Sequence, residues 1–154
     1  TKTWMTAMAA NPAEACRYCT ATPAELDSQM ALVTELAHSR VFLVRDQTHP
    51  GRCVVLLKRH ARELFELAPD ELAAFMAEVA RVAQVVHRVS GCDKLNYAVY
   101  GDLSPHLHVH IVPKWQGGAA WGEPFVLKPA EGVFLAPEAF DQMLLNLKRG
   151  IEVN

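Results

Sequence analysis

The sequence predicts an α+β fold in which an antiparallel meander sheet packs against one long helix, with a second helix near the C-terminus. The main observation is the order of the segments: strand-like stretches come in pairs on either side of one long amphipathic stretch. A βαβ protein would instead alternate strands with helices. The length of 154 residues fits one domain with a single core. Residues 1–154 are therefore expected to form one domain, with residues 1–10 left open as disordered or as a remnant of expression.

Four segments rich in β-branched and aromatic residues predict strands. They are residues 41–45, 53–58, 94–100 and 106–112. The Pro-Gly turn within 46–52 predicts that the first two strands form a hairpin. Pro113 is expected to end the fourth strand. Residues 24–38 are compatible with a short helix or with an extended approach to the sheet.

The long helix is predicted to begin at Pro69, which is followed by two acidic residues, and to stop at Gly91. Apolar residues recur at helical spacing along it and are expected to face the core. They are Leu72, Phe75, Met76, Val79, Val82, Ala83, Val86 and Val89. A second helix is predicted over 137–149, with Phe140, Met143, Leu144 and Leu147 on its buried face.

The overall charge argues against a polyanionic partner. Fifteen Lys and Arg against seventeen Asp and Glu give a formal net charge of −2, so nothing predicts non-specific binding to nucleic acid. No apolar run approaches the roughly 18 residues that span a bilayer, and no secretory signal is visible. The sequence therefore predicts a cytoplasmic protein that binds neither nucleic acid nor membrane, and in which any phosphate must be held at a local site.

The main functional motif is a row of alternating histidines. His106, His108 and His110 are separated by Leu107 and Val109. Because a strand repeats every two residues, the three imidazoles are expected to share one face and the aliphatic residues the other. A neutral imidazole on a rigid strand can attack phosphorus, while its neighbours hold the phosphate oxygens. Two alternatives stay open: a purely structural cluster, and a catalytic zinc bound through the HxH pair.

The N-terminal CxxC formed by Cys16 and Cys19 has three interpretations: free thiols, a redox pair or half of a zinc site. A redox CxxC usually opens a helix after a strand in a βαβ context, which the segment order does not offer. Two thiolates with two histidines would make a closed, tetrahedral structural site. Cys53, inside an apolar strand, is expected to be a buried hydrophobic residue.

Three segments together resemble the histidine-triad (HIT) superfamily. PHLHVHIVPK resembles the triad signature itself. THPGRCVVLLKRH, at 48–60, resembles the family's Pro-Gly turn, strand and Lys-x-His segment, and LNYAVYGDLSPHLHVH resembles the strand that carries the family asparagine. WQGGAAWGEPF resembles bacterial members related to diadenosine tetraphosphate hydrolases. The resemblance runs from about Cys16 to residue 147 and implies a HIT-like fold.

The resemblance also implies roles for individual residues. His108 would be the nucleophile that forms a nucleotidyl-histidine intermediate at an α-phosphate, and His110 would contact phosphate oxygens and share in delivering a proton to the leaving group. Asn96 would contact phosphate or ribose, and Asp46 would bind ribose hydroxyls. Arg52 stands where the family often has histidine and could hold a phosphate, since guanidinium is always charged. Ser104 is a candidate for contact with the leaving group.

Zinc-bearing members of the superfamily are similar in using four positions that correspond to Cys16, Cys19, His60 and His106. The resemblance therefore implies a structural zinc ion, which would fix His106 while His108 reacts. No organic cofactor is expected.

Three functions follow as alternatives. The first is a hydrolase of dinucleoside polyphosphates or nucleoside phosphoramidates; the second is a nucleotidyltransferase or phosphorylase with the same intermediate; the third is a nucleotide-binding module with little catalysis. By likeness to the family, the chain is expected to form a homodimer. Trp115 and Trp121 are expected to pack or to contact a partner rather than to stack on a base, and Lys114 is expected to be exposed.

Overall fold

The computed structural model describes residues 13–153. The prediction for residues 1–10 falls outside this range. The described chain contains two short helices, α1 (Arg17–Thr20) and α2 (Pro23–Leu26), and two long ones, α3 (Pro69–Ser90) and α4 (Pro137–Glu152). Its five strands are β1 (Met30–Glu35), β2 (Ser39–Val44), β3 (Cys53–Leu57), β4 (Lys94–Ala98) and β5 (His108–Lys114), and a 3-10 turn covers Leu64–Glu66.

The strands form one sheet in the order β1-β2-β3-β5-β4, and each neighbouring pair is antiparallel. The α+β class is therefore confirmed. The meander covers β1 to β3, whereas the connection through α3 carries the chain past the position of β5, so that β4 becomes the edge strand. β5, which carries two of the three histidines, lies between β3 and β4.

The residues that were compatible with either a helix or an extended segment form both. Thr22 caps α2, since its hydroxyl accepts a hydrogen bond from the Glu25 amide while the Glu25 carboxylate accepts one from the Thr22 amide. The chain then enters β1, which pairs with β2. The sequence pattern did not predict this first strand as a separate element.

Pro113 lies inside β5 and does not end it, so that prediction was wrong. β3 begins at Cys53, which lies opposite Ile111, and beyond that point β5 pairs only with β4. A proline lacks an amide donor and is tolerated where a strand has a hydrogen-bonded neighbour on one side only. The last residues of β5 are such a position.

The long helix begins and ends as predicted, with Pro69 in its first turn and Gly91 at its C-cap in the left-handed conformation (φ 65°). Its buried residues are Phe75, Val79, Val82, Ala83, Val85 and Val86. Met76 and Val89 were predicted to be core residues but are exposed at the rim. Val85 was not predicted and packs beneath α4, where a Cβ on Gly150 would come within 2.6 Å of a Val85 methyl carbon.

The two faces of the sheet have different surroundings. Its back face packs on α3 and α4 through the main core, which includes Leu107, Val109 and Ile111. Its front face carries a second apolar cluster of Leu26, Met30, Phe42, Val54 and Leu56, supplied in part by the N-terminal segment. Within residues 13–153 no helix is both long enough and apolar enough to cross a bilayer.

Candidate functional site

The histidine row lies on the front face, as the alternation predicted. His108 and His110 belong to β5, and His106 lies two residues before its start. The rings of His108 and His110 are 5.1 Å apart. The intervening Leu107 and Val109 face the opposite, α3-covered core. The histidines are largely buried, at 0%, 5% and 8% relative exposure in chain order.

His108 has its ring fixed by the backbone. Its Nδ1 donates a hydrogen bond to the His106 carbonyl at 2.6 Å. A neutral imidazole carries one proton, so Nε2 keeps its lone pair. Burial lowers the pKa of His108, although the bond to the His106 carbonyl opposes this shift. The ring is thus neutral near pH 7, with a free nitrogen lone pair, which is the form a nucleophile needs.

His110 has the opposite arrangement. Arg52 donates a hydrogen bond from Nη2 to His110 Nδ1 at 3.2 Å, and its Nη1 donates to the Leu127 carbonyl at 3.1 Å. Burial first, then the Arg52 charge and His108, lower the pKa of His110 to about 3. The Arg52 guanidinium is itself buried and stacks against Phe125 at 5.1 Å. This side of the site therefore presents a fixed positive charge beside a neutral ring.

A cavity of about 270 Å³ opens in front of these groups. His108, His110, Arg52 and Ser104 line it, so four of the predicted catalytic and substrate-binding residues meet there. Met30, Val44, Val54 and Leu127 contribute apolar walls, and Lys128 and Asp102 contribute charged groups. A nucleotide presents both an apolar base and an anionic phosphate, and the cavity offers a surface for each.

The structure also adds residues that the sequence analysis missed. Tyr18 lines the cavity and packs edge-on against His108 at 5.5 Å. Tyr100 lines it from the other side and lies 5.8 Å from the His110 ring. The only sequence signal for Tyr18 was its position between the two cysteines. Tyr100, six residues before the triad, had no signal.

Two predicted substrate contacts lie outside the cavity. Asn96 shares the front face with the histidines, opposite Val112, but lines a neighbouring cavity with Lys114 and Trp121. Asp46 closes its own turn, because its carboxylate accepts hydrogen bonds from the Thr48 amide and hydroxyl. The same carboxylate oxygen accepts one from the Val133 amide.

The flanking aromatic and charged residues also fall outside the cavity. Trp115 packs against the main core, and Trp121 is 41% exposed. Lys114 was expected to be exposed but is buried, and its Nζ donates hydrogen bonds to the carbonyls of Ala120 and Glu123. These hydrogen bonds compensate for the burial of the polar end of the side chain.

His106 lies in a second cluster rather than in the cavity. One ligand atom from each of Cys16, Cys19, His60 and His106 lies within 4.8 Å of the other three. Both thiol sulfurs lie 3.4 Å from His106 Nδ1, and Cys19 Sγ lies 3.3 Å from His60 Nδ1. Cys16 is the N-cap of the one-turn helix α1 and Cys19 lies within it, whereas His60 follows β3 and His106 precedes β5.

The donor set and its spacing fit a tetrahedral metal ion. Zinc–sulfur and zinc–nitrogen bonds of about 2.3 and 2.05 Å place these ligand atoms roughly 3.5 Å apart. The His106 Nε2 donates to the Leu57 carbonyl at 2.7 Å, which leaves the Nδ1 lone pair facing the thiols. Desolvation and the neighbouring Cys16 raise the pKa of the Cys19 thiol to about 11, so without a cation this thiol stays protonated near neutral pH. A bound divalent ion would deprotonate it.

Comparison with known proteins points to one family. Residues 25–117 match the HIT domain. Two curated relatives are the AP-4-A phosphorylase of Mycobacterium tuberculosis, 35% identical over 46% of this chain, and the asymmetrical bis(5'-nucleosyl)-tetraphosphatase of Schizosaccharomyces pombe, 33% identical over 42%. The matches cover only 40% and 38% of those relatives' own lengths.

Solved structures agree in fold. A histidine triad protein from Bradyrhizobium japonicum superposes with a TM-score of 0.76 at 29% identity, covering 85% of this chain and 97% of its own. A zinc-bound histidine triad family protein from Mycobacterium smegmatis superposes with a TM-score of 0.60 at 18% identity, covering 92% and 98%. At that identity the second likeness concerns the fold alone.

Proposed function

Because the chain belongs to the HIT domain family, we propose that it is a nucleotide hydrolase that acts at an α-phosphate through a nucleotidyl intermediate on His108. Its substrates would be dinucleoside polyphosphates or nucleoside phosphoramidates. The observation that carries this proposal is the ring of His108, whose Nδ1 is committed to a backbone carbonyl and which lines a cavity beside a buried guanidinium.

The proposed chemistry has two displacements at one phosphorus atom. His108 Nε2 attacks the α-phosphorus, the P–N bond forms, and the leaving group departs with its electron pair. Water then attacks the same phosphorus, the P–N bond breaks, the electron pair returns to Nε2, and the proton that water loses passes to the solvent. The rigid strand holds the attacking nitrogen in line, and Arg52 offsets charge on the phosphate oxygens.

Only two of the four residues that were predicted to bind substrate line the cavity. Arg52 and Ser104 remain proposed substrate contacts because they line the cavity. Asn96 and Asp46 would reach a substrate only if it extended beyond the cavity. Tyr18 and the apolar walls are proposed to contact the base.

A phosphorylase is the second candidate, since one relative carries that name at 35% identity. The intermediate would be the same, and inorganic phosphate would take the place of water in the second displacement. The products distinguish the two reactions, because transfer to water yields a nucleoside monophosphate and transfer to phosphate yields a nucleoside diphosphate.

The test measures turnover of a panel of substrates that includes diadenosine tetraphosphate and adenosine 5'-phosphoramidate. Each substrate is incubated with and without inorganic phosphate, and the products are identified by mass. Loss of the nucleophile in His108→Ala should lower turnover by roughly 10⁴-fold or more. The control is His87→Ala, an exposed histidine on α3, which should behave as wild type. Nucleotide binding without turnover would leave only the binding-module alternative.

We also propose that Cys16, Cys19, His60 and His106 hold a structural zinc ion. The support is the S₂N₂ donor set, its near-tetrahedral spacing and the orientation of His106 by Leu57. With four protein ligands no coordination position stays open, so the ion would supply rigidity rather than chemistry. It would tie α1, and with it Tyr18, to the start of the histidine strand.

A further inference from the structure

The hydrogen bond between Arg52 and His110 fixes which nitrogen of His110 carries the proton. A guanidinium has only donors, so His110 Nδ1 must accept the bond from Arg52 Nη2 and cannot itself hold a proton. The neutral ring then carries its single proton on Nε2. His110 lines the cavity, so it offers the substrate an Nε2–H hydrogen-bond donor on a neutral ring.

The surroundings of His110 oppose a second proton. His108, Tyr100 and Phe125 surround the ring with centroids 5.1, 5.8 and 5.9 Å away. Among residues 13–153, no carboxylate forms an ion pair or hydrogen bond with His110 or Arg52. Protonation at Nδ1 would break the bond from Arg52 and set two positive groups side by side in a buried place. The lowered pKa of His110, about 3, agrees with this geometry.

The protonation of His110 matters because leaving groups differ in their need for a proton. When His108 displaces a phosphoanhydride, the P–O bond breaks and the nucleoside polyphosphate departs as a stable anion. When it displaces a phosphoramidate, the P–N bond breaks and the nitrogen must gain a proton to depart as an amine. A positioned acid supplies that proton in a typical enzyme. A neutral imidazole is far too weak an acid for this step.

We propose that Arg52 is a positioning residue that holds His110 as the neutral Nε2–H tautomer and so makes the site select nucleotide phosphoanhydrides over nucleoside phosphoramidates. This inference rests on the proposed function and narrows its substrate class. The contacts of Arg52 support this role: its guanidinium is buried and donates to His110 and to the Leu127 carbonyl, and Asp46 acts on it through its charge without a hydrogen bond or ion pair.

The kinetic test compares kcat/KM for diadenosine tetraphosphate with kcat/KM for adenosine 5'-phosphoramidate. Wild type should favour the phosphoanhydride. Arg52→Gln and Arg52→His can accept a hydrogen bond from Nδ1–H, so they should raise the phosphoramidate-to-phosphoanhydride ratio by roughly 10²-fold, the size of a general-acid contribution. Arg52→Lys keeps a donor-only group and should retain the wild-type preference.

Lys128→Gln is the matched control for charge. Lys128 also lines the cavity but forms no bond to His110, so its loss should weaken both substrates equally and leave the ratio unchanged. A wild type that favours the phosphoramidate would overturn the inference, as would a ratio that shifts as much in Lys128→Gln as in Arg52→Gln. Either result would leave the proposed hydrolase intact, because both substrates would still be cleaved.

A spectroscopic test does not depend on turnover. Long-range ¹H–¹⁵N spectra of histidine-labelled wild type, assigned by His110→Gln, should show Nδ1 without hydrogen and Nε2 with hydrogen at neutral pH. The pattern should persist in Arg52→Lys and change in Arg52→Gln. A wild-type His110 with hydrogen on Nδ1 would overturn the inference even if no substrate were found. Absence of all turnover would count against the proposed function separately.

Discussion

At the scale of single residues, the site depends on two histidines that share a strand face and have opposite hydrogen-bonding roles. His108 gives its Nδ1 proton to a carbonyl, and His110 receives a hydrogen bond at Nδ1 from Arg52. One ring therefore keeps a free lone pair at Nε2 and the other keeps a hydrogen there. This difference in tautomer assigns attack to His108 and phosphate contact to His110 within the proposed mechanism.

The alternation of the triad was enough to predict the shared face, because successive side chains of a strand point to opposite faces of the sheet. The partners of each ring were not predictable in the same way. The bond between Arg52 and His110 joins positions 58 residues apart, and its existence depends on how β3 and β5 are aligned. Asn96 shows the converse, since a correct strand assignment did not place its side chain in the same cavity as the histidines.

Because the folded chain keeps His110 neutral and the unfolded chain can protonate it, the free energy of unfolding should depend on pH. Its pKa is lowered to about 3 in the folded chain, against about 6.5 for an unfolded histidine. Below pH 6.5 the unfolded chain thus binds a proton that the folded chain does not. The free energy of unfolding should fall as pH decreases from about 6.5, by up to about 1.4 kcal/mol per pH unit for this group.

Urea unfolding of zinc-saturated protein between about pH 7.5 and 5.5 measures this slope. His110→Gln, which can still accept a hydrogen bond from Arg52, should lower the slope, and His87→Gln, at an exposed position, should not. Equal slopes in wild type and His110→Gln would show that His110 titrates alike in both states.

At the scale of elements, the histidine strand is held from behind by apolar packing. Leu107, Val109 and Ile111 face α3 in the main core, which leaves His108 and His110 on the opposite face of β5, beside the cavity. The apolar stripe predicted α3 together with its ends, because Pro69 and Gly91 are strong boundary signals. β1 and the continuation of β5 past Pro113 were missed, since each depends on which neighbouring strand is present rather than on local sequence.

Two leucines four positions apart test the contrast between the apolar packing behind β5 and the exposed loop that precedes it. Leu107 is fully buried, whereas Leu103 is 79% exposed and lines the cavity. Leu107→Ala should lower the free energy of unfolding by about 2–5 kcal/mol, as expected for a core leucine. Leu103→Ala should change it by less than about 0.5 kcal/mol.

Chemical denaturation of the two variants beside wild type gives both values. A cost at Leu103 equal to that at Leu107 would mean that the loop before the histidines is part of the packed core.

At the scale of the whole molecule, the proposed zinc site joins three distant parts of the chain. Its ligands come from the CxxC at α1, from the segment that follows β3 and from the segment that leads into β5. The CxxC spacing left half of a zinc site as one of three interpretations, and the resemblance to zinc-bearing members of the superfamily implied all four ligands. The structure brings the four ligand atoms within 4.8 Å of one another. The homodimer stays a prediction.

Removal of the metal should therefore loosen the N-terminal segment and lower the melting temperature. Gently purified wild type should contain about one zinc ion per chain, and chelation should lower the melting temperature reversibly. His60→Gln should reduce zinc content and melting temperature together, whereas His87→Gln should alter neither. Metal analysis and calorimetry on the same samples measure both, and a wild type without zinc and with no response to added zinc would contradict the site.

The most direct test of the proposed mechanism is the mass of the intact protein after brief mixing with diadenosine tetraphosphate and an alkaline quench, which preserves a phosphorus–nitrogen bond. Wild type should gain one nucleoside monophosphate, located to the peptide that carries His108, and His108→Ala should gain none. An adduct on another residue, or full turnover in His108→Ala, would contradict the account.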